Sequence, residues 1–83
     1  MKKTSRIKNW QYHGKQPFCD EWWENRKAKL AISIVAIPQM NGSIRYNIKL
    51  EGGKYGRKII TSVGNYAKAR EIAIKWMKKH PEG

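Results

Sequence analysis

The dipeptide Asn41-Gly42 lies between two β-branched runs, and no other feature of the chain narrows its fold as much. Upstream, Lys29 to Ile37 reads KLAISIVAI; downstream, Ser43 to Glu51 reads SIRYNIKLE. Asn-Gly accepts the positive φ angles of a tight hairpin turn, so the two runs read as neighbouring antiparallel strands. In the downstream run Ile44, Tyr46, Ile48 and Leu50 alternate with Arg45, Asn47, Lys49 and Glu51. That period of two marks a strand with one buried face. Two registers compete. A two-residue turn places Ile37 opposite Tyr46, whereas a three-residue loop with Gly42 left-handed places Ile34 opposite Ile48 and Ile32 opposite Leu50. The second joins the strongest apolar sets and is preferred.

A glycine-rich loop, Gly52-Gly53-Lys54-Tyr55-Gly56, leads to a third strand over Arg57 to Val63. Gly64-Asn65 then supplies a turn and an N-cap for a helix from Tyr66 to about Lys79. At 100° per residue, Tyr66, Ala69, Ile72, Ala73, Trp76 and Met77 fall on one face and Lys68, Lys75 and Lys79 on the other. Pro81 stops the helix, because the residue before a proline resists helical geometry. Ahead of the first strand, Cys19 to Lys29 carries Asp20, Glu21 and Glu24 and then Arg26, Lys27 and Lys29. Acids before bases suit the dipole of a short helix. Trp22 and Trp23 cannot share one helix face, so one enters the core and the other covers a sheet edge or is left for contact. Residues 1–18 hold five bases, no acid and no apolar period, and read as a basic, partly flexible arm that Trp10 and Tyr12 could pin. The expected class is α+β: a three-stranded antiparallel sheet packed against a C-terminal helix (βββα), with residues 1–18 as arm, 19–80 as one domain and 81–83 as tail.

Eighteen Lys and Arg face six Asp and Glu, a net charge of +12. That excess goes beyond what solubility asks of a small domain and repels itself, a cost best matched by a polyanionic partner. Nucleic acid is the commonest one, and binding it releases condensed counterions. No apolar run is long enough to span a bilayer, none of signal-peptide length follows the basic start, and Cys19 has no second cysteine to pair with. An intracellular location without membrane association is expected. His13, Cys19 and His80 show no metal-ligand spacing, and no Ser, His and acid arrangement stands out. Asp20, Glu21 and Glu24 could hold Mg²⁺ but suit helix charging better. The chain is therefore expected to be neither an enzyme nor a metal or cofactor protein.

Three surfaces are candidates. On the sheet, Arg45, Asn47 and Lys49 share a face, flanked by Arg57 or Lys58 and by Ser33; Arg suits guanine edges, Asn adenine and Lys phosphate. In the loop, Lys54, Tyr55, Arg57 and Lys58 surround glycine N–H groups that could meet a phosphate, although the spacing is not that of a P-loop. In the arm, Lys2, Lys3, Arg6 and Lys8 could add phosphate or minor-groove contacts. Each has an ordinary counterpart: a Lys-rich solvated face, a turn that needs glycine, a solubilising tail. Trp10, Tyr12, Trp22, Trp23 and Tyr55 could instead stack the bases of single-stranded DNA or RNA, or serve as core. A second class of function, a small inhibitor or assembly factor that binds protein, or a homodimer, would use an exposed Trp, Val35 and Ile37 patch.

Three strands followed by a helix carrying NYAKAREIAIKWM resemble the three-stranded-sheet DNA readers, among them plant AP2 domains and the arm-binding N-terminal domains of phage and transposon integrases. In those families the sheet enters the major groove while the helix braces its back. The resemblance is one of pattern over residues 29–80. It implies double-stranded DNA as the partner and places Arg45, Asn47 and Lys49 against the bases. The Trp-rich segment before residue 29 has no counterpart in it.

Overall fold

The computed structural model describes residues 7–83 and shows an α+β chain. Five strands, β1 (Gln11–Tyr12), β2 (Glu21–Asn25), β3 (Leu30–Pro38), β4 (Ile44–Gly52) and β5 (Gly56–Val63), precede one helix, α1 (Tyr66–Lys79). The strands form one antiparallel meander in sequence order. The central hairpin takes the three-residue-loop register: Ile34 pairs with Ile48 and Ile32 with Leu50. Gln39 N donates to Ser43 O at 2.8 Å, and Gly42 closes the turn at φ 89°. Asn41 Oδ1 accepts from Ser43 N at 3.0 Å and from its hydroxyl at 2.7 Å, a side-chain brace that explains Asn at this position.

The expected three strands are an undercount, and the short helix expected before the first of them is β2. Its residues alternate: Glu21, Trp23 and Asn25 are buried, while Trp22 and Glu24 lie on the other side. On a helix the two tryptophans would sit 100° apart and neither face would suit both; on a strand they take opposite sides. Asp20 does not charge a helix either. Its backbone N donates to Ile34 O at 2.8 Å and its carboxylate accepts from Ala36 N at 3.0 Å, which splices the start of β2 onto β3.

Residues 7–18, assigned above to the arm, are docked on the domain. Ile7 and Trp10 are buried, β1 pairs with β2, and Trp10 Nε1 donates to His80 O at 3.1 Å. The last three residues are held as well. Pro81 O accepts from Asn9 Nδ2 at 2.9 Å and from the fully buried Asn25 Nδ2 at 3.0 Å, while Gly83 O accepts from Tyr55 OH at 3.1 Å.

The core lies between sheet and helix: Trp23, Leu30, Ile32, Ile34, Ile48 and Leu50 meet Ala69, Ala73 and Met77, with Ile7 and Trp10 closing one end. Two alanines on the contact line let α1 come close to the strands. Asn65 caps it by accepting from Lys68 N at 2.9 Å, and Lys78 and Lys79 stand at its negative end. Trp76 is only half-buried, wedged among Trp10, Tyr55 and a stacked His80. Over Trp23, Glu21 accepts from Tyr12 OH and forms a 3.5 Å ion pair with Arg70, whose Nε makes no hydrogen bond. Burial, then the hydrogen bond to Glu21 and its charge, push the Tyr12 phenol above its ordinary value.

Candidate nucleic-acid interface

One helix covers one side of the sheet, and the register decides what the other side displays. Trp22, Ser33, Lys49 and Ile59 form one row across β2 to β5; Val35, Asn47 and Ser62 form the next, and Ile37 and Arg45 a third. Arg45, Asn47 and Lys49 thus share the open face, with Ser33 beside them. Of the two residues that could flank them, Arg57 pairs with Glu51 and belongs to this set, while Lys58 pairs with Leu50 and is one residue out of phase. A bulge in β5 at the level of Ile48 and Lys49 decides which of the two it is: Ile60 is the extra residue and packs toward the core, leaving Ile59 exposed opposite Lys49 and Arg57 in phase with it.

This face is concave. A groove of about 470 Å³ runs over it, lined by Phe18 and Trp22 on one side, Ile59, Arg57 and Lys58 on the other, and Ser33, Val35, Lys49 and the carboxylate-bearing Glu51 between. The aromatic side is built. A tight turn with paired backbone hydrogen bonds between Gln16 and Cys19 brings Phe18 edge-on to Trp22 at 5.7 Å. His13 lies against the same indole at 4.7 Å and is held by Glu24 Oε1, 3.1 Å from its Nε2.

The cations of the face differ in their freedom. Arg45 donates from Nη2 to Ser62 O at 2.7 Å and from Nε to Ser62 Oγ at 3.3 Å, which aims it along the edge strand. Arg57 is paired with Glu51 at 3.1 Å. Lys49 is exposed and makes no ion pair among the described residues. Every acid of the chain has a partner: Asp20 the Ala36 N–H, Glu21 Arg70, Glu24 His13 and Arg26, Glu51 Arg57, Glu71 Lys68 and Lys75, Glu82 Lys27. The surplus of base is spread over the molecule, including the solvent side of α1.

Lys54 and Tyr55 do not join Arg45, Asn47 and Lys49. The loop folds under the helix side, where Tyr55 packs edge-on to Trp76 at 5.9 Å and Lys54 Nζ lies 5.5 Å above the Tyr55 ring. Its glycines serve the turn: Gly52 has φ 99°, and a Cβ there would overlap the Lys29 carbonyl oxygen. Lys8 is exposed, beside Asn9 and the docked C-terminal residues. Lys2, Lys3 and Arg6 lie outside the described residues. Phe18 and His13 escape a reading of the sequence because a turn brings them to the face, and Trp22 escapes it because EWWEN carries no apolar period of two.

Among the described residues no three His, Cys, Asp or Glu side chains could hold a metal ion, and no helix is long and apolar enough to cross a membrane. Asp20, Glu21 and Glu24 diverge to separate partners. Cys19 is buried, and burial, with Asp20 beside it, raises its thiol. Compared with known families, characterised proteins and solved structures, the chain matches none.

Proposed function

We propose that the protein is a nucleic-acid-binding module without catalytic activity, and that the open face of its sheet is the interface. The observation that carries this reading is that the groove, lined by Lys49, lies on the same open face as Arg45 and Asn47, a side of the sheet that no helix covers among the described residues. Lys49 and Arg57 suit phosphate oxygens. Asn47, Ser33 and Ser62 offer the donors and acceptors that base edges need. The net charge of +12 adds long-range attraction and a steep dependence on salt. The solvent side of α1 is also basic, but it presents lysines without aromatic or amide groups among them, so it fits a secondary contact with phosphates.

Titration of the full chain with labelled oligonucleotides at two salt concentrations tests the reading. Affinity should fall steeply with salt, and Lys49→Ala should weaken it. Protein binding is the competing reading, favoured by Phe18 and Ile59, which are 63% and 53% exposed beside the groove. A partner protein held as tightly at high salt as at low, with no oligonucleotide bound at low salt, would establish that alternative.

A further inference from the structure

Resting on the nucleic-acid reading of the open face, we propose that the groove takes a single strand with unstacked bases and not the double helix. Two observations carry this.

The first is shape. A sheet that reads a duplex through the major groove, which is about 12 Å wide, must stand out from the protein to enter it. Here Lys49 sits in a trough, with Asn47 and Arg45 further along the same face. Lys49 and Ser33 are part of its lining, Phe18 and Trp22 stand on the β2 side, and Ile59 and Arg57 stand on the β5 side. Three strand spacings separate those sides, roughly 14 Å, which is room for one strand laid between them and a barrier to a rod of two. The volume, about 470 Å³, lies in the range that encloses a ligand of nucleotide size.

The second is chemistry. A duplex shows a protein its phosphates and the edges of its bases; their flat faces are hidden in the stack. The trough is lined by groups that gain little from edges or phosphates: the Phe18 ring, 63% exposed, the Trp22 indole, Val35 and Ile59. Aromatic and aliphatic surface next to Lys49 and Arg57 matches a strand whose bases are turned inward and whose backbone is turned out. The clamp on Trp22 supports this use. With His13 at 4.7 Å and Phe18 at 5.7 Å, the indole is fixed before any ligand arrives, so little side-chain freedom is lost on stacking.

The test compares a twelve-nucleotide oligo-dT, its RNA counterpart and a twelve-base-pair duplex by fluorescence anisotropy, with the full chain and with Phe18→Ala, Trp22→Phe and Lys49→Ala. Both single strands should bind at least tenfold more tightly than the duplex and should quench tryptophan emission. Phe18→Ala removes an exposed ring and leaves the core intact; it should weaken single-strand binding roughly 5- to 150-fold, the range for loss of one stacked base, and change duplex binding little. Trp22→Phe keeps an aromatic and should retain most of the affinity while losing much of the quenching. Duplex bound as tightly as single strands, or Phe18→Ala without effect, overturns the single-strand assignment; if Lys49→Ala still weakens binding, the open face remains the interface. Failure of all three ligands to bind at low salt overturns the interface itself. A preference between oligo-dT and its RNA counterpart identifies which polymer the trough accepts.

Discussion

Alternate residues of β4 meet opposite surroundings. Ile48 and Leu50 lie under α1 with 0% and 1% of their surface exposed, whereas Lys49, between them, faces solvent in the groove. The same division runs through β2, where Trp23 is buried beneath Tyr12 and Arg70 and Trp22 looks out between His13 and Phe18. One sheet thus keeps its core on one side and a groove of polar, basic and aromatic groups on the other. A face with no binding role would be expected to carry lysine and threonine; this one also carries Trp22, Val35, Ile37 and Ile59, apolar surface in need of a cover. Because strand residues alternate strictly, substitutions on the two sides should separate stability from binding.

The largest effect should come from the covered side. Ile48→Ala removes a fully buried side chain from the middle of the core and should cost about 2–5 kcal/mol, which is much of what a domain of this size possesses. Ile48→Val, at about 0.5–1.5 kcal/mol, keeps the protein folded and is the sharper probe. Its melting temperature should fall while its affinity for oligonucleotides stays the same. Lowered affinity in a fully folded Ile48→Val protein would show that the two sides are coupled.

The next effect belongs to the open side. Replacing Arg45 and Lys49 together by Ala should leave thermal unfolding within about 1 kcal/mol of the parent, because both are exposed. Binding should weaken at least tenfold, since each contact to a phosphate or base edge contributes about 1–3 kcal/mol. Loss of the Arg45 bonds to Ser62 O and Oγ is a structural cost; Ser62→Ala removes only the bond to the hydroxyl, so the single variant Arg45→Ala is the control that measures both. Unchanged binding in the double variant would reduce the sheet to a scaffold and move the interface to the lysines of α1 or to the basic N-terminal residues.

A pH series probes the seam between the sides, where Tyr12 reaches Glu21. Its phenol holds its proton more tightly in the folded state than at the ordinary value of 10.0. The stabilisation is therefore fully present below pH 10 and is lost as pH rises through the higher folded-state value. Unfolding followed from pH 8 to 11 should show this decline. Tyr12→Phe should reduce its steepness and, by leaving Glu21 without a donor, cost about 1 kcal/mol at neutral pH.

What the sequence discloses and what it hides follow from where each residue finds its partners. The central hairpin and α1 are legible because their signals are local: Asn41-Gly42 for the turn, the period of two in SIRYNIKLE, Asn65 and Pro81 at the helix ends. β2 is hidden because two of its three core-facing residues are polar. Glu21 and Asn25 can be buried only by virtue of Tyr12, Arg70 and Pro81, and no local pattern announces partners so far along the chain. β1 is two residues long and carries no period at all. The same holds for the site: Arg45, Asn47 and Lys49 are found by alternation, whereas Phe18 arrives by a turn and Tyr55 is drawn under the helix by Trp76 and the Gly83 carbonyl.

The smallest predicted effect is also the most specific to the open face. Glu51 is the carboxylate of β4 on that side, and it occupies Arg57 at 3.1 Å, both side chains being largely exposed. An exposed pair of this kind contributes about 0–1 kcal/mol to stability, so Glu51→Gln should hardly move the melting temperature. Its effect on binding has the opposite sign to that of Lys49→Ala. Removing the negative charge frees Arg57 at the rim of the groove and deletes a repulsion toward phosphate, so affinity should rise about two- to five-fold at low salt. High salt should abolish the gain, since exposed charges are screened over about 10 Å at 0.1 M. Glu71→Gln is the matched control: it also removes one charge, but from the solvent side of α1, where Glu71 lies between Lys68 and Lys75. If net charge alone governs binding, the two variants gain equally. If the open face is the interface, Glu51→Gln gains and Glu71→Gln gains little, a difference that global charge cannot produce.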